Sequence, residues 1–197
     1  FFLDGKPVEA FEGESILKAA ERAGTCIPHL CYKDGLRADG NCRACVVEIE
    51  GERTLAPSCC RSATAGMKVQ ASSARAVKSQ KLVLEMLLAD MPDTGYKWNE
   101  KDESQQHGEL SDWAARMAVQ VRPELKSLRR VQPKADTSHP AMAVNLDACI
   151  QCNRCVRACR EEQVNGVIGY AHRGAHSAIV FDLDDAMGTS SCVACGE

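Results

Sequence analysis

The first seventy residues alternate short apolar stretches with polar turns, which predicts a small α+β unit. Residues 1–11 form two predicted strands joined by Asp4-Gly5, a strong hairpin signal. Apolar residues at helical spacing follow over 16–23, and Gly24 is placed to end that helix. A strand over 44–50 and a closing strand over 67–70 complete a pattern typical of a β-grasp.

Residues 74–90 are predicted to form an amphipathic helix, with Lys78 and Glu85 toward solvent. Its predicted apolar face contains Val77, Leu82, Leu84, Leu87 and Leu88. Residues 93–140 are polar and irregular, apart from a predicted short helix at 109–119 whose face contains Leu110, Trp113, Ala114 and Met117. Further on, predicted strands over 143–146 and 179–181 alternate with cysteine-bearing turns. We therefore divide the chain into domains 1–73, 74–140 and 141–197.

Composition restricts the functional class only weakly. The chain is 45% hydrophobic and 26% charged, with a net charge of −3, which does not favour a nucleic-acid partner. No apolar run approaches the roughly 18 residues that a membrane span requires. We expect neither nucleic acid nor a membrane among the partners.

Twelve cysteines fall into two groups, and none lies between Cys60 and Cys149. Six disulfides in a secreted protein would also use an even number. However, the CxxC pairs, the vicinal Cys59 and Cys60 and the lack of a visible secretory signal favour reduced, metal-binding cysteines in a cytoplasmic protein.

The second group opens with C-x2-C-x2-C-x3-C, the spacing of cubane iron–sulfur sites. In two-cluster ferredoxins the fourth cysteine of this run binds the other cluster. The spacing therefore predicts one [4Fe–4S] cluster on Cys149, Cys152 and Cys155, and a second on Cys159, Cys192 and Cys195.

Each of these clusters is one ligand short within the sequence, and the period predicts a further cysteine just past Glu197. The chain also begins without Met, inside a predicted strand, so we expect it to be a piece of a longer polypeptide. Arg160 follows Cys159 where simple ferredoxins have Pro, which favours a module of a larger enzyme. The alternative for this spacing is a zinc site with four cysteine ligands.

The first group contains four candidate ligands for one small cluster, in the order Cys31-x10-Cys42-x2-Cys45-x13-Cys59. Cys26 is left as a spare, and spacing does not choose between Cys59 and Cys60. A thioredoxin-like pair at Cys42 and Cys45 lacks the surrounding βαβ pattern.

Other polar residues give weaker indications. A lone histidine is more often a surface residue than a ligand, and this holds for the candidates His107, His139, His172 and His176. Arginines near the second group either offset cluster charge or only aid solubility, and these are Arg157, Arg160 and Arg173.

The stretch IPHLCYKDGLRADGNCRACVVEIEG resembles the [2Fe–2S] domain shared by the large subunit of respiratory complex I, NAD-reducing hydrogenases and NAD-dependent formate dehydrogenases. In that family the fourth ligand lies seven residues before the Gly of a Gly-Met pair. Gly66-Met67 here points to Cys59 rather than Cys60. The resemblance thus implies a [2Fe–2S] cluster on Cys31, Cys42, Cys45 and Cys59.

The stretch VNLDACIQCNRCVRACREEQVNGVIGYAHRG, with SSCVACGE, is similar to the two-cubane domain of the catalytic α subunit of soluble formate dehydrogenases. Between the two regions, relatives hold a cubane with an H-x3-C-x2-C-x5-C pattern. HGELSDWA resembles the tail of that segment, with Gly108 where its last cysteine would fall. We therefore predict no cluster in this interval, which counts against the complex I and hydrogenase alternatives.

The resemblance implies that the chain relays electrons from formate oxidation at a molybdenum or tungsten bis-pterin site toward FMN and NAD. The expected partners are the rest of the same catalytic subunit, an NADH- and FMN-binding subunit and a small iron–sulfur subunit. One alternative is the iron–sulfur subunit of an NAD-reducing hydrogenase or a complex I-like enzyme. An alternative of another class is a zinc-stabilised interaction module.

Overall fold

The computed structural model describes residues 1–93, 95–96, 108–131 and 133–196. The chain divides into two compact units. The first contains Phe1–Glu85 and Trp113–Gln120, and the second contains Met86–Asp112 and Val121–Glu197. The three-domain division made from the sequence stays a prediction.

The first unit contains a five-stranded mixed sheet. Its strands are β1 (Phe2–Leu3), β2 (Lys6–Pro7), β3 (Val46–Ile49), β4 (Ala56–Pro57) and β5 (Lys68–Gln70). Their spatial order is β2-β1-β5-β3-β4, with β1 and β5 parallel and the other pairs antiparallel. A mixed sheet with a helix fits the predicted ferredoxin-like α+β fold, although β4 was not predicted.

The predicted hairpin between β1 and β2 is confirmed. Asp4 and Gly5 both have left-handed backbone conformations, with φ of 47° and 80°. The Asp4 carboxylate also accepts hydrogen bonds from the backbone N–H groups of Ala71 (2.9 Å) and Ser72 (3.1 Å). One short side chain therefore connects the hairpin to the chain that leaves β5.

The helix α1 (Ile16–Arg22) begins where the sequence predicts. The Ser15 hydroxyl accepts a hydrogen bond from the Lys18 N–H at 3.3 Å, a typical N-cap. Gly24 follows the helix with a φ of 78°. The buried face of α1 packs in a core that also contains Leu3, Ile27, Val47, Ile49 and Val69.

The helix α2 (Ala74–Asp90) has the predicted bounds, but its buried face differs from the predicted one. Glu85 is buried rather than solvent-exposed, whereas Leu82 is exposed. Gln80 is also buried, because its amide donates hydrogen bonds to the carbonyls of Val46 (2.8 Å) and Ala71 (3.5 Å). These hydrogen bonds offset the cost of burying the polar side chain of Gln80.

Shorter elements follow α2. The helix α3 (Glu109–Arg116) is shorter than predicted, because Ala118 has a left-handed φ of 50° beyond its end. Leu110 and Ala114 on its predicted face are buried. The unpredicted helix α4 spans Pro123–Lys126.

In the second unit, a 3-10 turn (Leu146–Ala148) precedes α5 (Arg154–Arg157), which continues as a π-helical turn (Ala158–Glu162). The strands β6 (Ile168–Ala171) and β7 (Ala178–Phe181) form an antiparallel pair. The predicted strand over 143–146 is wrong, because only Val144 makes a bridge, with Asp136. The predicted strand over 179–181 is confirmed as β7.

In the part of the chain that the structure describes, no helix combines the length and apolar character needed to cross a bilayer.

Replacing Asp4 tests its role as a hydrogen-bond acceptor. Asp4→Ala removes the acceptor for two backbone N–H groups and places alanine at a positive φ that it adopts less readily than aspartate. We therefore expect a loss of about 1–3 kcal/mol in the free energy of unfolding. Asp4→Asn keeps an acceptor oxygen and tolerates this conformation, so it should lose less. Urea denaturation measures both, and equal losses would contradict the hydrogen-bonding role.

Candidate metal centres

The four predicted [2Fe–2S] ligands lie on three segments of the first unit. Cys31 and Cys42 lie in the long loop after α1, Cys45 directly precedes β3, and Cys59 lies in the turn after β4. The side chains of Cys31, Cys45 and Cys59 are at most 2% exposed, whereas Cys42 is half-buried. Residues far apart in the sequence thus present thiols inside or beside the core.

These four thiols contact one another. The Cys31 sulfur is hydrogen-bonded to the thiols of Cys42 and Cys59, and Cys59 is also bonded to Cys45. The backbone N–H of Cys31 donates to the Cys42 sulfur at 3.4 Å. Each predicted ligand therefore has at least one other predicted ligand as a neighbour.

The contacts between the thiols lower the pKa values of two of the cysteines and raise those of the other two. Hydrogen bonds from Cys42 and then Cys59 lower the pKa of Cys31, and the bond from Cys59 lowers the pKa of Cys45 to about 7. The same bonds, with burial, raise the pKa values of Cys42 and Cys59. Four thiolates, three of them buried, would repel one another without a cation, so the donor set suits a positively charged metal group.

Polar groups surround the sulfurs. The backbone N–H groups of Asn41 and Cys42 bond the Cys31 sulfur, and that of Ala44 bonds the Cys42 sulfur. Left-handed residues flank Cys42, namely Gly40 (φ 63°) and Arg43 (φ 58°). Alternation of this kind produces backbone concavities that are common at iron–sulfur sites.

Cys45 has its own donors. The N–H of Cys59 and the side chain of Ser58 both lower the pKa of Cys45. Ser58 is fully buried, and its hydroxyl donates to the Cys45 carbonyl at 2.7 Å. Hydrogen bonds near cluster sulfurs are one of the protein's means of setting a reduction potential.

The spare cysteines of this group are exposed. Cys60 contacts Cys59 (Sγ to Sγ, 3.6 Å) and packs against Gly40, where an added Cβ would lie 3.0 Å from its sulfur. Cys26 is exposed as well. The structure therefore places Cys59, and not Cys60, among the buried thiols.

In the second unit, Cys149 and Cys152 lie on one loop, and Cys155 lies in α5, which directly follows that loop. Burial and then the charges of the other two thiols raise the pKa of Cys155 to about 11, although the residue is at the surface. Burial also raises the pKa of Cys149, against an opposing hydrogen bond from the Gln151 N–H at 3.4 Å. The charges of the three thiols therefore influence one another, while their ligation of a common cluster stays a prediction.

A backbone repeat relates this loop to residues 192–196. Left-handed residues occur at Gln151 (φ 54°) and Asn153 (φ 66°), on either side of Cys152. Ala194 (φ 53°) and Gly196 (φ 79°) occupy the same positions around Cys195. Three of these four residues are not glycine, so both loops adopt an unfavourable conformation at equivalent points. Such a repeat is typical of two similar binding loops.

Cys159 lies apart from the loop, on the π-helical turn. It is 9% exposed and packs with Val167, Phe181 and Met187. Cys192 packs against the same apolar cluster, whereas Cys195 is exposed. This arrangement suits the predicted sharing of a second site by Cys159 and Cys192, and π-helical turns are frequent at functional sites.

Among the described residues, no group of three or more His, Cys, Asp or Glu side chains is arranged for a single metal ion. The structure shows contacts among the thiols of the first group. Binding of a cluster by any of the candidate cysteines stays a prediction.

Comparison with known families identifies the first part of the chain. Residues 1–74 match the family model described as a 2Fe-2S iron-sulfur cluster binding domain. This range contains the converging thiols of Cys31, Cys42, Cys45 and Cys59. Residues 1–74 are thus similar to [2Fe–2S] cluster-binding domains.

The similarity continues beyond the [2Fe–2S] domain. The chain is 32% identical to the NADP-reducing hydrogenase subunit HndD of Solidesulfovibrio fructosivorans, over 99% of the chain and 33% of that protein. It is 36% identical to the mitochondrial NADH-ubiquinone oxidoreductase 78 kDa subunit of Candida albicans, over 87% of the chain and 23% of that protein. The chain thus spans a third or less of these relatives.

A solved structure shows the same fold. The chain superposes on a chain of an NAD+-reducing [NiFe]-hydrogenase in the H2-reduced state with a TM-score of 0.80. Sequence identity is 28%, over 98% of this chain and 79% of the other. These comparisons support the hydrogenase and complex I alternative better than formate dehydrogenase, for which no specific support emerges.

The structure reveals a feature of the interval between the cysteine groups. A Cβ at Gly108 would overlap the ring of Tyr96, and Gly108 has a φ of 88°. Burial, then the charges of Cys152 and Cys149, raise the pKa of Tyr96. Tyr96 thus fills the space that a side chain at 108 would need, beside the loop of the second group. The predicted lack of a cluster in this interval stays a prediction.

The remaining polar candidates occupy different environments. Arg157 is buried, with its Nε donating to the Asn153 carbonyl at 3.3 Å, whereas Arg160 and Arg173 are exposed. His139 accepts a hydrogen bond from the Ala141 N–H, and His172 and His176 are exposed. His107 lies outside the described residues.

Sequence reasoning missed Arg130 and Arg154. The guanidinium of Arg154 pairs with Glu109 at 2.8 Å, and that of Arg130 donates to the carbonyl of Cys149 at 2.7 Å. The sequence around these two arginines does not indicate their contacts, because arginine in a polar stretch usually lies on a solvated surface.

Cys59→Ser and Cys60→Ser form a matched pair that tests the choice between the vicinal cysteines. We expect Cys59→Ser to lose the [2Fe–2S] EPR signal of the reduced protein, because the buried thiol is removed, and Cys60→Ser to retain it. Loss of the signal only in Cys60→Ser would contradict the assignment.

Gly108→Ala tests the packing of Tyr96. We expect it to destabilise the second unit through positive φ, at about 1–2 kcal/mol, and through overlap with Tyr96, at about 1–3 kcal/mol more. Gly174→Ala is the matched control, because Gly174 has a φ of 61° and no atom within 4 Å of an added Cβ. Equal shifts of the two variants in thermal unfolding would refute a steric role for Tyr96.

Proposed function

We propose that this chain is the electron-transfer segment of an NAD(P)-linked oxidoreductase complex. The observation that carries the proposal is the convergence of four thiols within the [2Fe–2S] domain. Similarity to hydrogenase and NADH oxidoreductase subunits along nearly the whole chain supports it.

In this proposal Cys31, Cys42, Cys45 and Cys59 hold a [2Fe–2S] cluster. Iron–sulfur clusters supply one-electron transfer when bound. The chain contributes burial, which restricts water, and backbone N–H donors such as that of Cys59, which stabilise negative charge on the sulfurs.

The second unit is proposed to hold two [4Fe–4S] clusters. Cys149, Cys152 and Cys155 serve one site, and Cys159, Cys192 and Cys195 serve the other. The electrostatic influence of Cys149 and Cys152 on Cys155, the shared apolar cluster of Cys159 and Cys192 and the repeated left-handed residues support this division.

The whole complex is proposed to be of the hydrogenase or complex I type, passing electrons between these clusters and NAD(P) through FMN on a partner subunit. A formate dehydrogenase with a molybdenum or tungsten bis-pterin site is the second candidate. The observation that favours it is the lack of any cysteine between Cys60 and Cys149, where the sequence pattern of complex I and hydrogenase relatives places a further cluster.

The natural complex, reduced in turn with H2, NADH, NADPH and formate under anaerobic conditions, distinguishes these candidates. EPR-detected cluster reduction by H2 would indicate a hydrogenase, and reduction by formate would overturn that choice in favour of formate dehydrogenase. Reduction by NADH or NADPH alone would indicate a complex I-like enzyme.

Cys42→Ser in the full-length protein tests the cluster assignment. We expect loss of the [2Fe–2S] EPR signal with the [4Fe–4S] signals retained, because Cys42 contacts Cys31, a thiol of the first group. Cys26→Ser is the control and should leave every signal unchanged, since Cys26 is exposed.

Iron and acid-labile sulfide analysis of the unmodified protein completes this test. Zinc-loaded, colourless protein without labile sulfide would refute the electron-transfer proposal and support the zinc-stabilised module.

A further inference from the structure

Arg130 occupies an enclosed position beside the loop of Cys149. It follows α4 in a polar stretch, yet its side chain is only 11% exposed. Its Nη2 donates to the Cys149 carbonyl at 2.7 Å, and its Nη1 donates to the Ser177 carbonyl at 3.3 Å. A guanidinium is therefore fixed against the backbone of the first residue of the cysteine loop.

Asp90, at the end of α2, holds Arg130 from the other side. Its Oδ2 lies 3.3 Å from the Arg130 Nε, and its Oδ1 accepts from the Arg130 backbone N–H at 3.3 Å. Asp90 is 37% exposed, so solvent screens its charge more than that of Arg130. The pair thus leaves a fixed positive charge facing the cysteine loop.

The loop itself is held by further polar contacts. The Gln151 side chain donates to the same Ser177 carbonyl at 2.6 Å, and the Tyr170 hydroxyl donates to the Gln151 carbonyl at 3.0 Å. Gln151 and Tyr170 therefore also hold residues 149–151 in place. Anchoring this loop does not depend on Arg130 alone, so the positive charge of Arg130 can have a separate effect.

The charge of Arg130 lies beside the first proposed ligand of this loop. Its guanidinium is hydrogen-bonded to the backbone carbonyl of Cys149 at 2.7 Å and is largely shielded from solvent. A group that stabilises negative charge on the loop stabilises a cluster more after it accepts an electron than before.

We propose that Arg130 is a positioning and charge-compensating residue that raises the reduction potential of the cluster held by Cys149, Cys152 and Cys155. The inference rests on the proposed function, because it requires a [4Fe–4S] cluster at this loop. In this proposal Arg130 offsets the negative charge of the cluster, a role that the sequence analysis considered for Arg157, Arg160 and Arg173.

The test is a potentiometric titration of the full-length protein followed by EPR. We expect Arg130→Gln to shift the potential of this cluster to a more negative value and to leave the [2Fe–2S] and second [4Fe–4S] potentials unchanged. Those two clusters act as references within the same sample. Cys155→Ser, which removes a proposed ligand of this site, identifies its signal.

Two further variants separate charge from geometry. Arg130→Lys keeps the charge and should remain closer to the unmodified potential than Arg130→Gln. Arg129→Gln removes a neighbouring charge that is 36% exposed and paired with Asp147, and it should produce a smaller shift.

An unchanged potential in Arg130→Gln, with all clusters present, would overturn the inference while leaving the proposed function intact. If Arg130→Gln lacks this cluster, Arg130→Lys decides: a potential near that of the unmodified protein supports the charge role, and one shifted to a clearly lower value refutes it. If the unmodified protein shows no [4Fe–4S] signals, the proposed function fails at this loop, and the inference with it.

Discussion

The arrangement of the first unit depends on one constraint: four thiols whose ionised forms repel one another must be held together in a buried place. The pairing of β3 with β4 meets part of this constraint, because Val46 lies opposite Pro57. The ladder continues where the Ser58 N–H donates to the Cys45 carbonyl at 3.1 Å. Pairing of two short strands therefore brings Cys45 and Cys59 together, since each lies just beyond the paired residues.

The second unit holds one of its candidate ligands inside an apolar cluster. Among the described residues, Cys159 packs with buried Val167, Phe181 and Met187. The cysteine loops depend instead on hydrogen bonds to carbonyls and on left-handed residues such as Gln151 and Asn153. Backbone strain of this kind persists only where surrounding interactions offset it. Metal binding can supply the free energy that offsets this strain. A metal site that is absent in the unfolded chain makes binding contribute directly to folding.

Local signals in the sequence predicted the local structure well. Asp4-Gly5, Gly24 and the pattern over 74–90 each encode a turn, a helix end or a helix through nearby residues alone. The two-residue strand β4 and the strand β6 were missed because their formation depends on partners distant in sequence. The buried Gln80 was missed for a related reason, since its acceptors on Val46 and Ala71 are known only from the fold.

The candidate site shows the same limit. In the first unit the structure brings together the candidate thiols of Cys31, Cys42, Cys45 and Cys59 from three segments, whereas cluster ligation in both units stays a prediction. The residues that would adjust the chemistry follow no spacing pattern in the sequence. Ser58 becomes a donor near Cys45 through strand pairing, and Arg130 becomes an enclosed charge only after Asp90 and the carbonyl of Cys149 surround it.

The two sites therefore compensate negative charge by different physical means. At Cys31, Cys42 and Cys45 the compensation comes from backbone N–H dipoles held by a buried fold. At Cys149 the proposed compensation comes from the formal charge of Arg130, which is hydrogen-bonded to the Cys149 carbonyl. Dipoles act over short distances, whereas a charge acts over a longer range. Because the Arg130 side chain is only 11% exposed, salt screens its charge much less than that of a surface arginine.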